Sequence, residues 1–429
     1  MLIARETARL RISGVYMSKV HLCRFCQAQL ITSFVDLGPT PLANSYVTQA
    51  DIAAGRDQKY PLHARVCDAC LLVQAEDSVP PDAIFSDYAY FSSYSDSWVE
   101  HARHYADAMI ARFGLGPNSQ MVEIASNDGY LLQHFKARGV PVWGVEPAAN
   151  VAAVASAKGI DTEVGFFGSK TAQALVARGI KADMMAANNV LAHVPEIADF
   201  VRGFAIMLKP QGVATFEFPH VLNLIQQVQF DTIYHEHFSY LSLYIVEKIA
   251  SSVGLRAFDV DELATHGGSL RVYVCHESAA HVQSERLVAL RSKEADAKLN
   301  QLAGYTGFAA KVEKVKASFS AFLAQAKADR KTVGAYGAAA KGNTFLNVCH
   351  VSAADIAFVF DRSAAKQGKL LPGSHIPILD PKEIETLKPD YLVILPWNLK
   401  HEISGAFKQI TAWGGRFVVA VPETRILQP

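Results

Sequence analysis

Between Phe230 and Phe238 the chain reads Phe-Asp-Thr-Ile-Tyr-His-Glu-His-Phe. A phenol, two imidazoles and a carboxylate thus fill four consecutive positions, Tyr234 to His237, among apolar and aromatic neighbours. Groups of these types, kept partly dry, are suited to moving protons. Glu236 can orient or acidify a histidine while the Tyr234 hydroxyl donates to a developing oxyanion. The same residues admit a metal reading, because His235 and His237 would share one face of a strand. Read in isolation, the stretch also fits a surface loop of polar aromatics.

Such a cluster needs a scaffold, and the chain supplies one in three parts. Near the N-terminus stand two pairs, Cys23-x-x-Cys26 and Cys67-x-x-Cys70. The leading residues, with Arg and Glu among the apolar ones, do not read as a secretory signal. Paired knuckles in a chain without such a signal suit a tetrahedral zinc ion better than disulfides, and a redox C-x-x-C would need only one pair. With four cysteines bound, no coordination position is left open, so the metal is structural. Cys275 and Cys349, isolated in apolar segments, read as buried thiols. The turn-rich stretch Leu37 to Asn44 lies between the knuckles, and Pro80-Pro81 closes a small metal-stapled module.

The whole chain has 429 residues, half of them hydrophobic and 19% charged, with zero formal net charge. The length suits two or three domains. Charge balance gives no basic footprint for nucleic acid, and no run reaches the roughly 18 apolar residues of a membrane span. A cytoplasmic protein is expected, with residues 1–16 a disordered extension.

After a segment rich in phenols and hydroxyls, Tyr88 to Ser95, an amphipathic helix is predicted from Asp96 to Phe113. Strand and helix then alternate. Met121 to Ile124 is a buried strand leading into the turn Ala125-Ser126-Asn127-Asp128-Gly129, and about twenty residues later Val142 to Pro147 is a second strand with Glu146 near its tip. A tight turn followed by an acid at that distance is a nucleotide-handling layout, although the glycines do not follow G-x-G-x-x-G. Further strands over 161–164, 182–187 and 212–218, with helices between them, predict a doubly wound sheet with its ligand at the C-terminal strand edge, where His193 falls. A long helix is predicted from about 280 to 330. A second Rossmann-like unit follows, opening with Gly334-Ala335-Tyr336-Gly337-Ala338-Ala339-Ala340-Lys341-Gly342-Asn343, whose small residues and lysine suit a phosphate. The expected fold is α/β: a zinc-binding N-terminal module (1–82) followed by two Rossmann-like doubly wound domains (83–278 and 279–429).

Six sequence features together, the two C-x-x-C pairs, the Glu-Ile-Ala-Ser-Asn-Asp-Gly turn, Gly144 to Pro147, Asn188 to His193, Phe216 to His220 and above all Tyr234 to Tyr240, carry a resemblance. The chain resembles the sugar C-methyltransferases that act on nucleotide-linked keto-deoxyhexoses. The resemblance implies S-adenosylmethionine as cofactor, an NDP-keto-sugar as substrate and a monomer. It implies His237 as the base acting beside the ketone, with Tyr88, Tyr234, Glu236 and His193 positioning the sugar and stabilising the enolate oxygen. His235 receives no role. For the cofactor it implies Asn127, Asp128, Gly129 and Glu146, grouped with Glu123, Ala125, Pro147, Asn188 and Asn189. For the substrate it implies Lys341, Gly342 and Asn343 near the diphosphate, with Tyr90 and Asp361. The chemistry agrees, because a C–H carbon becomes nucleophilic only when deprotonation beside a carbonyl makes an enolate, which needs a base and an oxyanion donor. The rival reading is an NAD-dependent oxidoreductase or epimerase using the C-terminal turn, with Asp361 on a ribose. A third is a non-catalytic zinc-stapled binding protein.

Overall fold

The computed structural model describes residues 20–79, 92–94 and 96–428. Tyr88, Tyr90 and residues 1–16 lie outside them. Three strands, β1 (Thr32–Pro41), β2 (Lys59–Val66) and β3 (Val73–Ala75), form an antiparallel meander beside the cysteines. The segment read as turn-rich is largely strand. Gly38 (φ +73°) and Pro39 are absorbed where the register with β2 shifts between Asp36 and Pro39, so the turn chemistry makes a bulge rather than an end.

Strands β4 (Met121–Ile124), β5 (Val142–Glu146), β6 (Thr162–Val164), β7 (Ala182–Asn188) and β8 (Leu208–Pro219) follow, and the expected alternation with helices holds. Then β9 (Ser239–Tyr240) leaves the large sheet and pairs antiparallel with β3, becoming the fourth strand of the small one. The next two strands, β10 (Leu255–Leu263) and β11 (Ser269–His276), form a hairpin that completes a seven-stranded sheet in the order β10-β11-β8-β7-β4-β5-β6. The sheet is parallel except for β11, which runs antiparallel to both neighbours. Helices cover its faces through apolar stripes at 3.6 spacing. Asp96–Phe113 buries Ala102, Tyr105, Ala106 and Met109, and Ile197–Met207 buries Ile197, Phe200, Val201, Phe204 and Met207.

The predicted long helix is two helices, Glu285–Asp296 and Phe308–Ala328. Lys298 (φ +60°) and Gly307 (φ +78°) turn the chain between them, because Leu299 and Tyr305 are drawn into the core, with the Tyr305 hydroxyl donating to the Leu299 carbonyl at 2.9 Å. Alanine and charge extend helical propensity through this segment, but burial of two side chains outweighs it. The C-terminal strands β12 (Val333–Tyr336), β13 (Val359–Phe360), β14 (Ile378–Leu379), β15 (Tyr391–Ile394), β16 (Arg416–Val419) and β17 (Arg425–Ile426) form a sheet in the order β14-β13-β12-β15-β16-β17. It is parallel up to β16, with β17 antiparallel at the edge. No helix among the described residues is long and apolar enough to cross a membrane.

One apolar core runs through the small sheet, the segment 221–233 and the C-terminal sheet. Phe34 stacks on Phe308 with ring centroids 4.5 Å apart, and Val47 bridges Leu370.

Candidate active site

The four cysteine sulfurs lie within 4.8 Å of one another, Cys23 3.5 Å from Cys70 and Cys26 3.5 Å from Cys67, and none is in a disulfide. A tetrahedral ion with Zn–S bonds of about 2.3 Å requires sulfur separations of about 3.8 Å, so the quartet fits zinc. Each knuckle turns through a residue of positive φ, Gln27 (+61°) and Leu71 (+69°), whose amide donates back to the carbonyl of the leading cysteine, Cys23 or Cys67. Four thiolates this close need a cation among them.

The Tyr234–His237 stretch leaves this module and returns to it. His235 Nε2 donates to the carbonyls of Pro61 (3.2 Å) and Tyr60 (3.3 Å) in β2, and the Ala75 amide donates to Phe238 O. The Arg24 guanidinium lies 5.1 Å from the Phe238 ring centre. His235 is therefore a clamp. Because it is turned to β2, it does not pair with His237, and the cysteine quartet is the only metal-competent group among the described residues.

His237 Nδ1 lies 2.7 Å from the Thr232 carbonyl, which can only accept, so the proton of the neutral ring is on Nδ1. Nε2 is then the basic atom, and it accepts the Tyr234 hydroxyl at 2.8 Å. His193 is oriented in the same way, Nδ1 donating to the Glu236 carbonyl at 2.8 Å, with its ring edge-on to His237 at 4.6 Å between centroids. Burial lowers both imidazoles, His193 to about 4 and His237 well below the usual range with the neighbouring His193 adding to the effect. Both rings are thus neutral bases at physiological pH. Glu236, 7% exposed, is raised by burial and steadied by Asn44 Nδ2, which donates to Oε1 at 2.7 Å. Asn44 belongs to the segment after β1. Sequence reasoning passed over it because Pro-Leu-Ala-Asn carries a turn signal and nothing catalytic.

Nine residues assigned to the cofactor fall at the C-terminal edge of β4, β5 and β7, which are adjacent in the sheet. The turn after β4 alternates its backbone sign, with positive φ at Ala125, Asn127 and Gly129. Gly129 (φ +78°) is also pressed against Ile160, whose Cδ1 would lie 2.5 Å from a Cβ. Glu146 is raised by burial and ties the two strand ends together. Its oxygens accept the Asn127 amide at 2.9 Å and the Ala148 amide at 2.9 Å, the latter past Pro147. Glu123, wholly buried, is raised strongly by desolvation. Around this edge are buried polar atoms without partners: Glu123 Oε2, Ser126 Oγ, Asp128 Oδ1, Asn188 Oδ1 and both polar side-chain atoms of Asn189. Buried polar groups are ordinarily paired. The set suits a ligand that carries an amino acid end and ribose hydroxyls, as S-adenosylmethionine does.

In the C-terminal sheet's first helix, Ala340–Val348, Lys341 is the second residue. Its ammonium donates to the His266 carbonyl at 3.3 Å. Gly342 and Asn343 are buried, Asn343 Oδ1 accepting from Asn347 Nδ2 at 3.2 Å. Asp361, at the tip of β13, accepts the Ser363 amide at 2.8 Å and pairs with Lys366 at 3.5 Å. Lys366 and the Tyr46 hydroxyl both donate to the Ala338 carbonyl, at 2.7 and 2.6 Å. The structure thus gathers Tyr234, Glu236, His237 and His193 in one cluster, whereas Asp361 and Asn343 are engaged within the C-terminal sheet and its helix. His266 was not expected from sequence. It sits on a positive-φ turn (+54°) before β11, edge-on to Trp98 with ring centroids 5.6 Å apart. Only the adjacent Gly267-Gly268 pair hints at it.

The seven-stranded sheet, the unpartnered polar atoms at the C-terminal edge of its central strands and the family model that covers most of it together define a methyltransferase. Family models follow one another along the chain: a zinc binding domain over residues 23–85, a methyltransferase domain over 98–259 and a C-methyltransferase C-terminal domain over 264–422. C-methyltransferase NovU of Streptomyces niveus is 35% identical over 405 residues, 94% of this chain and 96% of that protein. The chain belongs to the C-methyltransferase family. Among solved structures, an S-adenosylmethionine-dependent methyltransferase from Clostridium acetobutylicum matches at 11% identity and a TM-score of 0.34, over 43% of this chain and 92% of its own. CalS10 of Micromonospora echinaspora, an amino pentose methyltransferase bound to S-adenosylmethionine, matches at 15% identity and a TM-score of 0.31, over 44% of this chain and 98% of its own.

Proposed function

We propose that this protein methylates a carbon beside the ketone of a nucleotide-linked keto-deoxysugar, with His237 as the base. The observation that carries the reading is the chain of hydrogen bonds from the Thr232 carbonyl through the His237 ring to the Tyr234 hydroxyl, which leaves the lone pair of the neutral ring on Nε2. When a ketone enters, the Tyr234 hydroxyl turns from Nε2 to the ketone oxygen, and this single rotation both frees the base and supplies the oxyanion donor. Nε2 takes the proton from the carbon, and the C–H electron pair becomes the enolate. The dry surroundings that depress His237 would oppose an isolated imidazolium. The enolate oxygen formed in the same step offsets its charge.

When bound, S-adenosylmethionine would supply the electrophilic methyl group to the enolate carbon, with S-adenosylhomocysteine as the leaving group. Asn127, Asp128, Glu146, Asn188 and Asn189 would hold it at the edge of β4, β5 and β7. His193, Glu236 and Tyr88 would position the sugar, and Lys341 would take the diphosphate, with Tyr90 and Gly342 as further proposed contacts; Asn343 and Asp361 would join them only by giving up their present partners Asn347 and Lys366. Zinc in the four-cysteine site would act on structure alone. One chain then provides every part, Asn44 from the zinc module, His237 from the middle and Lys341 from the C-terminal sheet, as a monomer would.

Calorimetric titration with S-adenosylhomocysteine and, in parallel, with NADH tests the cofactor. Saturable binding of the first alone supports the reading, and binding of NADH alone overturns it in favour of an oxidoreductase. The base is tested by His237→Ala, which should lower turnover by about 100-fold with S-adenosylhomocysteine affinity nearly unchanged. An active variant would move the base to Glu236 or His193.

A further inference from the structure

Lys341 and Asp231 meet at Trp397 rather than in an ion pair, near enough for each to feel the other's charge, and burial raises the Asp231 carboxyl to about 6 even though the lysine pulls it down. Asp231 lies in the short turn Phe230–Thr232, wholly enclosed. Its Oδ2 accepts the indole N–H of Trp397 at 2.7 Å, while Oδ1 is buried without a partner. The Lys341 ammonium also stands 5.6 Å from the centre of the Trp397 ring. That ring is held from below by Gly267, where a Cβ would come within 2.3 Å of Cη2. On the other side of the turn, Phe230 packs on Phe345 of the Lys341 helix at 5.7 Å between centroids.

The residue after Asp231 is Thr232, and its carbonyl holds the proton of His237 on Nδ1. One connected series of contacts therefore runs from Lys341, through Trp397 and Asp231, to the atom that fixes the tautomer of His237. We propose that Asp231 and Trp397 are positioning residues linking the two ends of the cleft. The Trp397 N–H anchors the turn so that Thr232 keeps His237 basic at Nε2, and Asp231 balances Lys341 until a diphosphate replaces it. The second half of this inference rests on the proposed sugar-nucleotide reading, and the first does not.

Two substitutions separate the halves. Trp397→Phe keeps the ring and removes the donor. Asp231→Asn keeps an oxygen that can accept from Trp397 and removes the charge. The readouts are the 15N imidazole spectrum of His237, assigned against His237→Ala, and calorimetric binding of uridine diphosphate, thymidine diphosphate and inorganic pyrophosphate. Trp397→Phe should turn a single Nδ1–H tautomer into a mixture, with diphosphate affinity within about threefold of wild type. Asp231→Asn should leave the tautomer alone and tighten diphosphate binding on the order of tenfold, since removing a nearby carboxylate raises the potential at Lys341. A variant that had merely lost structure would not bind more tightly.

A pure Nδ1–H tautomer in Trp397→Phe overturns the positioning link. Unchanged or weaker binding in Asp231→Asn overturns the charge balance. If none of the three anions binds the wild-type protein, it is the assignment of Lys341 to a diphosphate that falls, while the tautomer experiment still decides the link.

Discussion

Asn44 is separated from Glu236 by 192 positions in the chain and by 2.7 Å in space, and replacing it isolates one contact between the zinc module and the catalytic cluster. Asn44→Ala removes the donor and leaves a carboxyl that is 7% exposed to find another. Leaving a buried partner unsatisfied costs about 1–3 kcal/mol. Because the contact is already made without substrate, part of that energy is lost from stability, and the share that serves to orient Glu236 towards the sugar lowers kcat/KM by at most about 5- to 150-fold. Asn44→Asp is the sharper variant. Two carboxyls at this distance must share a proton, so its deficit should deepen as pH rises from 6 to 8. The assay is the initial rate of S-adenosylhomocysteine release with an accepted sugar nucleotide, run across that range on variants that melt like wild type. A wild-type rate in Asn44→Ala, or an Asn44→Asp variant as active at pH 8 as at pH 6, would refute the reasoning.

Metal analysis should find about one zinc per chain, and Cys23→Ser should lose it together with the order of the first module. Because His235 and β9 tie the catalytic loop to that module, hydrogen exchange at residues 235–240 should accelerate in the same variant, and slow exchange there would separate metal from loop. The buried imidazoles make a pH prediction. Burial lowers His266 to about 4, against about 6.5 in an unfolded chain. Between those values the unfolded state binds the extra proton, so this residue's contribution is complete above about 6.5 and is lost as pH falls, at about 1.4 kcal/mol per unit. The buried carboxyls Glu123, Glu236 and Asp231 are shifted upward and act with the opposite sign. Comparison with His266→Gln cancels them. The gap in urea midpoint between wild type and variant should move steadily against wild type from pH 6.5 to 4.5, and a constant gap would show that His266 is not held neutral.

Much of the large sheet was legible in the sequence because its strands are short apolar runs punctuated by polar turns. Met121–Ile124 and Ala182–Asn188 fall where periodicity places them, and the helix Asp96–Phe113 has the bounds its amphipathic pattern gives. The cluster at Tyr234–His237 was legible because chemistry-bearing types are adjacent. What escaped were relations across long separations. Nothing local marks Asn44 as the partner of Glu236, Trp397 as that of Asp231, or Ser239–Tyr240 as a strand of the small sheet, since two residues carry no periodicity. The break between Glu285–Asp296 and Phe308–Ala328 escaped for another reason, because tertiary burial of Leu299 and Tyr305 overrode a helix-favouring composition.

The origin of β9 bears on how the molecule is made. The small sheet cannot be completed when β3 leaves the ribosome, because its last strand is encoded 165 residues later, after most of the large sheet. At roughly 5–20 residues per second, the edge of β3 waits on the order of 10–30 s for its partner. During that interval an unpaired strand edge is open to other chains, and a metal ion taken up early by the cysteines is what would hold the meander together. Synthesis in zinc-poor medium should therefore lower the soluble yield more than stripping the metal from finished protein does.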